Sequence, residues 1–79
     1  MSVTIKLSPL LRKYVRDYDS DEGIVVENGA EKKVSLIAEE LSIPRDSITM
    51  VIVNHRPSRM GYVAREGDLI LFGMVIGGG

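Results

Sequence analysis

The sequence predicts a small α+β domain in which a mixed sheet of four to five strands packs on one main helix. Three observations lead to this prediction. Apolar and polar residues alternate near the N-terminus, a later stretch has helical spacing, and two apolar runs rich in strand-forming residues follow it. One amphipathic helix on one sheet face buries both apolar surfaces, so two layers are the simplest arrangement.

The chain has 79 residues, a net charge of −1 and no cysteine. This length predicts a single domain over residues 1–79 with a modest core. The small net charge gives no electrostatic reason to expect nucleic acid or a membrane as partner. The lack of cysteine excludes a disulfide scaffold and a thiolate metal site. No apolar run has the length of a membrane span, so we expect a soluble, cytoplasmic protein.

The first half of the chain predicts a hairpin with a long loop. Residues 3–8 alternate between apolar and polar, as in a half-buried strand, and Pro9 ends it. Residues 10–16 have partly helical spacing and predict a short helix or a tight loop. Residues 24–27 form the second predicted strand, and the Asn28-Gly29 pair after it has turn chemistry.

The acidic stretch between these strands has part of the pattern of a calcium site. Asp17, Asp19, Asp21 and Glu22 resemble the start of an EF-hand loop. That loop requires glycine at its sixth position and glutamate at its twelfth, which here are Glu22 and Asn28. Both requirements fail, so the sequence predicts a solvated acidic loop and no metal.

The main helix is predicted over residues 32–42. Apolar residues recur at spacings of three and four from Val34 to Leu41, and charged residues occupy most of the other positions. Pro44 ends the helix, because the residue before a proline avoids the helical conformation. No strong N-cap residue marks its start.

The second half of the chain predicts three more extended segments. Residues 50–53 form a strand, and the Asn54-His55 pair predicts a tight turn. The segment 56–58 resumes an extended conformation, but its proline confines it to a sheet edge. A turn at 65–68 precedes a final strand at 69–72, which is apolar on both faces. A central position suits such a strand, with the helix on one face and loops or a partner on the other.

The stretch 73–79 is predicted to be a flexible C-terminal tail. It ends in Gly77-Gly78-Gly79 directly after apolar residues. Glycines without Cβ atoms can thread a narrow channel and carry the α-carboxylate on a slender stalk. The alternative interpretation is an ordinary frayed terminus.

The chain resembles the ThiS/MoaD family of ubiquitin-like sulfur carriers over nearly its whole length. The residues 34–44 are similar to the family's helix and its exit. The Val53–Pro57 segment is similar to the family's Val-Asn-Gly segment. Gly67-Asp68 and the following apolar strand run without a gap to the terminal pair Gly78-Gly79. The last match is the most specific of the three.

The sequence also departs from the family pattern at three places. Met74-Val75 stands where the family often has two prolines, which makes the exit less stiff. His55 replaces the usual turn glycine. Gly77 is an extra glycine where a larger residue is common.

The resemblance implies a β-grasp fold and a carrier function. An ATP-dependent adenylyltransferase would activate the Gly79 carboxylate, sulfur would convert it to a thiocarboxylate, and a synthase would accept that sulfur. The synthase would be the molybdopterin synthase large subunit or thiazole synthase. Gly77 and Gly78 would thread the partner's channel. The chain itself would be no enzyme and would bind no cofactor. The alternatives are a ubiquitin-like modifier conjugated through Gly79, and an interaction module that is never activated.

Five residues are predicted to contact partner proteins: Phe72, Met74, Ile76, Met60 and Tyr62. The first three alternate along one side of the last strand and tail, and aromatic and methionine residues are enriched at interface cores. Phe72 is equally consistent with a core position. The only histidine, His55, is interpreted as an exposed turn residue with no catalytic or metal role. Three arginines, at positions 56, 59 and 65, form either a basic edge or simply a solvated face.

Overall fold

A computed structural model describes residues 2–75 of the chain. It contains a single five-stranded mixed sheet, one α-helix and two short 3₁₀ helices. The strands are β1 (Val3–Leu7), β2 (Ile24–Val26), β3 (Met50–Val53), β4 (Arg56–Ser58) and β5 (Leu69–Gly73). The α-helix is α1 (Val34–Glu40), and the 3₁₀ helices are Pro9–Tyr14 and Arg45–Ser47. This confirms the predicted α+β class.

The strands are arranged in the order β2-β1-β5-β3-β4. β5 lies in the centre, parallel to β1 and antiparallel to β3. β1 and β2 form an antiparallel pair, and β4 lies at the edge beyond β3. The central position predicted for the final strand, the long-loop hairpin and the edge position of the segment with Pro57 are all confirmed.

The core lies between the sheet and α1. In β1, Val3, Ile5 and Leu7 are buried, while the residues between them are partly exposed. Phe72 is the largest fully buried side chain, and Ile37 of the helix is also fully buried. This period-two burial on one sheet face, against the apolar face of a helix, is the two-layer arrangement expected from the sequence.

The helix is shorter than predicted, and its start has an unusual cap. Lys33 occupies the N-cap position, and its side chain makes no capping hydrogen bond. Instead, Val34 N–H donates to the carbonyl of Tyr62 at 2.8 Å, and Ser35 N–H donates to the carbonyl of Met60 at 2.9 Å. Backbone carbonyls from the β4–β5 loop therefore satisfy the first donors of the helix, which a helix otherwise leaves to a side chain or to water.

Two turns have the conformation that the sequence indicates. Asn54 and His55 have φ values of 50° and 70°, so both lie in the left-handed region, as a two-residue hairpin turn of type I′ requires. Gly67, at φ 81°, lies in the turn before β5. The predicted helix or loop at 10–16 is a 3₁₀ helix that begins at Pro9, with Leu11 as its buried residue.

Within residues 2–75, no helix is long and apolar enough to cross a membrane.

Candidate functional site

The C-terminal strand reaches the surface at residues 74 and 75. β5 includes Gly73, which the sequence had assigned to the flexible tail. Met74 N–H then donates to Ser8 Oγ at 3.2 Å, and Val75 N–H donates to Thr49 Oγ1 at 2.9 Å. Val75 is 61% exposed. The chain therefore runs from the central strand of the sheet to an exposed position at Val75.

Four predicted site residues lie outside the described part of the chain. They are Ile76, Gly77, Gly78 and Gly79. Their proposed roles remain predictions from the sequence.

The side of the sheet opposite α1 carries a second apolar surface. We call it the outer face. Its members are Val25, Thr4, Lys6, Leu69, Leu71, Ile52 and Met50. Ile52 and Leu71 are direct neighbours across β3 and β5, and Lys6 is the neighbour of Leu71 on β1. This face is not covered by a second layer within the described residues, and Ile52, Leu69 and Leu71 are only partly buried.

A shallow depression of 260 Å³ lies on this outer face. Its lining consists of Lys6, Ile52, His55, Leu69 and Leu71. Lys6 Nζ donates a hydrogen bond to the carbonyl of Asp21 in the acidic loop, so its aliphatic stem spans the sheet surface. The depression combines an apolar floor with two polar side chains, which is the composition of a protein-contact surface.

A buried carboxylate, Asp68, connects the end of β3 to the start of β5. Asp68 is only 6% exposed. Its Oδ2 accepts hydrogen bonds from Tyr62 OH at 2.7 Å and from Arg65 N–H at 2.8 Å. Its Oδ1 accepts from Asn54 Nδ2 at 2.8 Å. No buried side-chain nitrogen or oxygen among residues 2–75 lacks a hydrogen-bond partner, so this network is saturated and serves the structure.

The network shifts the pKa of two of its members. Burial of the Asp68 carboxyl would raise its pKa, but the hydrogen bonds that it accepts outweigh burial and hold the pKa below its usual 3.8. The hydrogen bond to Asp68 raises the pKa of Tyr62 above its usual 10.0, and desolvation adds to this effect. The phenol therefore stays protonated and the carboxylate ionised across the neutral pH range.

The structure separates the predicted partner-binding residues. Phe72 is fully buried in the hydrophobic core, which is the second of the two positions that the sequence allowed for it. Met60, Tyr62 and Met74 are partly buried and pack against the core cluster. Tyr62 is further occupied by its bond to Asp68. Met60 lines a second depression together with Met50, a member of the outer face.

Sequence reasoning missed the side chains that form the apolar centre of the outer face. The sequence analysis predicts Leu69, Leu71 and Ile52 only as strand residues. The final strand is apolar on both faces, and this pattern indicates that its second face also makes contacts. A partner protein is one of the two neighbours that the sequence predicts for that face.

The acidic loop has the local structure of a turn. Asp19 Oδ1 accepts hydrogen bonds from the backbone N–H groups of Asp21 and Glu22, at 2.7 and 3.0 Å. These two hydrogen bonds lower the pKa of Asp19, and the bond from Glu22 has the larger effect. Within residues 2–75, no three His, Cys, Asp or Glu side chains are grouped so as to hold a metal ion.

Comparisons of the chain with protein-family models, with curated proteins and with solved structures gave no match in any of the three.

Proposed function

We propose that this chain is a β-grasp sulfur carrier whose Gly79 carboxylate is adenylated and converted to a thiocarboxylate. The observation that carries the proposal is the course of β5. This central strand leads directly to an exposed Val75, and the sequence after it is Ile-Gly-Gly-Gly. The sheet order β2-β1-β5-β3-β4, with β1 parallel to β5 and one main helix, agrees with the β-grasp fold that the resemblance implies.

The chemistry requires no reactive side chain on the carrier. A free carboxylate is a poor electrophile, so ATP of a partner enzyme first converts it to an acyl adenylate and releases pyrophosphate. A persulfide of the partner or of a sulfur donor then attacks the carbonyl carbon, and AMP leaves. A second thiol then attacks the S–S bond of this acyl disulfide, which releases the thiocarboxylate and leaves a disulfide between that thiol and the donor's sulfur. A slender glycine tail suits this sequence because it fits a narrow active-site channel.

The outer face supplies a contact surface for the adenylyltransferase or the synthase. Its apolar centre at Leu69, Leu71 and Ile52 includes the same strand that leads to Val75. A partner bound there would therefore hold the strand from which the tail extends. This surface replaces the set built around Phe72 as the proposed docking site. The pterin branch, with the chain as small subunit of molybdopterin synthase, is our first choice of pathway, and thiazole synthesis is the second.

Intact-mass spectrometry tests the proposal. The purified chain is incubated with ATP, a sulfur donor, a thiol reductant and an adenylyltransferase of the molybdopterin or the thiazole pathway. A sulfur carrier gains about 16 Da, because one terminal oxygen is replaced by sulfur. The matched control lacks Gly79 and should gain no mass.

Two other results would contradict the carrier function. Branched conjugates between the chain and lysines of other proteins, formed with ATP in a lysate, would identify a protein modifier joined through Gly79. No change in mass with either enzyme, and no conjugates, would identify an interaction module that is not activated.

A further inference from the structure

We propose that Ser8 and Thr49 form a pair of positioning residues, here called the hydroxyl clamp. The clamp fixes where and in which direction the chain leaves the sheet towards residues 76–79, here called the C-terminal arm. The role in activation rests on the proposed carrier function. The clamp itself rests on hydrogen bonds alone and is tested separately.

The clamp extends the hydrogen bonding of β5 beyond its neighbouring strands. β1 ends at Leu7 and is followed by Ser8 and Pro9, while β3 begins only at Met50. Residues 74 and 75 thus have no strand backbone beside them to accept their N–H groups. The hydroxyl of Ser8 accepts from Met74 on the β1 side, and the hydroxyl of Thr49 accepts from Val75 on the β3 side.

Both clamp residues are also bonded to β5 through their backbone. Ser8 N–H donates to the carbonyl of Phe72 at 3.0 Å, and Thr49 N–H donates to the carbonyl of Gly73 at 2.9 Å. Ser8 stands at the N-cap of the first 3₁₀ helix, where a serine hydroxyl commonly caps the helix, but here it makes no capping bond. Its hydroxyl is used for the exit of the last strand instead.

The position of the clamp determines the reach of the arm. Four residues, 76–79, follow Val75 in the sequence. Four residues at full extension span at most about 14 Å. Without the clamp, an enzyme that binds the arm would also have to order residues 74 and 75, which opposes binding through conformational entropy. The chemistry at Gly79 would be unchanged. Loss of the clamp should therefore raise the KM for the carrier and leave kcat unaltered.

Amide hydrogen exchange measured by NMR tests the clamp. In Thr49→Val the amide of Val75 should exchange about three- to tenfold faster, and in Ser8→Ala the amide of Met74 should do so, as loss of a single hydrogen bond predicts. Thr49→Ser keeps a hydroxyl and should restore the protection of Val75. Thr4→Val is the matched control, because the Thr4 hydroxyl makes no hydrogen bond to residues 2–75, and it should change neither amide. Unchanged exchange of both amides in both clamp variants would overturn the clamp.

ATP–pyrophosphate exchange with an enzyme that adenylates the wild-type chain tests the positioning role. We expect the double variant S8A/T49V to show a KM about three- to tenfold higher with kcat within about twofold of wild type. Thr49→Ser should remain near wild type. A fall in kcat at constant KM, or no change in either, would overturn the positioning role. If neither pathway's enzyme adenylates the wild-type chain, the carrier function fails, and the hydrogen-exchange result still decides whether the clamp exists.

Discussion

Asn54 and Asp68 are joined by a hydrogen bond of 2.8 Å that links the turn after β3 to the turn before β5. Asn54 also pairs with the first residue of β5: its Oδ1 accepts from Leu69 N–H at 2.9 Å, and its backbone N–H donates to the Leu69 carbonyl at 2.8 Å. The Val53–Pro57 segment and the segment that begins at Gly67-Asp68, two of the three that carry the family resemblance, are therefore hydrogen-bonded to each other. The function of these two residues is to fix the register at the start of the central strand.

The substitution Asp68→Asn should destabilise the fold. The new amide nitrogen cannot accept the hydrogen bonds that Oδ2 receives from Tyr62 and Arg65, so two partly buried donors lose their acceptor. We expect the free energy of unfolding, measured in urea at pH 7, to fall by about 2 kcal/mol. Asp46→Asn, at an exposed position of the second 3₁₀ helix, is the matched control and should change it by less than about 0.5 kcal/mol. Equal stabilities of the two variants would show that the network contributes nothing.

Stability should also depend on acid pH through Asp68. Because the pKa of this carboxyl is lower in the folded chain than its usual 3.8, the ionised form favours folding. This contribution is fully present above about pH 4 and is lost as the pH falls through the folded-state pKa. Unfolding free energies measured in steps from pH 7 to pH 2 should thus decline below about pH 4. The decline should be shallower in Asp68→Asn, whereas parallel curves for the two proteins would assign the acid sensitivity elsewhere, for example to Asp19.

The substitution His55→Gly should stabilise the chain modestly. His55 has a φ of 70°, a conformation that costs a residue with a Cβ about 1–2 kcal/mol. Part of this gain is offset, because glycine makes the unfolded chain more flexible. We expect a net increase of about 0.5 kcal/mol in the free energy of unfolding.

Asn54→Gly is the matched control for that turn. Asn54 also has a positive φ, of 50°, but its side chain bonds Asp68 and Leu69. The same change to glycine should therefore destabilise the chain by about 1–2 kcal/mol. If both glycine variants stabilised the chain, backbone conformation would dominate the turn and the side-chain bonds of Asn54 would be unimportant. If both destabilised it, the positive φ of His55 would not be a source of strain.

The substitution Leu71→Thr tests the outer face as a docking surface. Leu71 lies in the centre of this face beside Ile52, and threonine has a polar, β-branched side chain that suits a strand. We expect the chain to remain folded by circular dichroism and the KM for the adenylating partner to rise about tenfold, as for an interface residue that contributes strongly to binding. Leu36→Thr, at a helix position that is 42% exposed, should leave the KM unchanged. A similar KM for both variants would place the partner on another surface.

The substitution Gly78→Val tests the threading of the tail. A side chain with two γ-carbons widens the stalk, so adenylation at Gly79 should be lost in the mass-spectrometric assay. The free energy of unfolding should not change, because the body up to Val75 retains all its contacts. Val75→Ala serves as control, at the last described position, and should still be activated. Full activation of Gly78→Val would show that the tail does not pass through a narrow channel.

Much of the fold was predictable because local patterns determine it. The alternation from Val3 to Leu7 and the Asn54-His55 turn depend on neighbouring residues, and both were predicted correctly. The start of α1 depends on the carbonyls of Met60 and Tyr62, more than twenty residues away in sequence. No local signal marks such a cap, so the predicted helix began too early.

The candidate site was harder to predict, because adjacent residues of β5 face opposite ways. Phe72 and Leu71 are both apolar, and the sequence alone does not say which one meets the helix. A shift of one residue in register exchanges the two faces of a strand. Pairing of Leu7 with Phe72 places Phe72 inside and leaves Leu71 on the outer face. The network around Asp68 was missed for a related reason, since Asn54 and Asp68 are fourteen positions apart.

The parallel pairing of β1 and β5 has a practical consequence for the assays. Because both strands run the same way, Ser2 lies beside the turn at Gly67, at the end of the sheet opposite to Val75. A strand of five residues separates these ends by about 16 Å. An affinity tag or fluorophore attached ahead of Met1 thus starts far from the exit at Val75, whereas any label appended after Gly79 would occupy the very group under test.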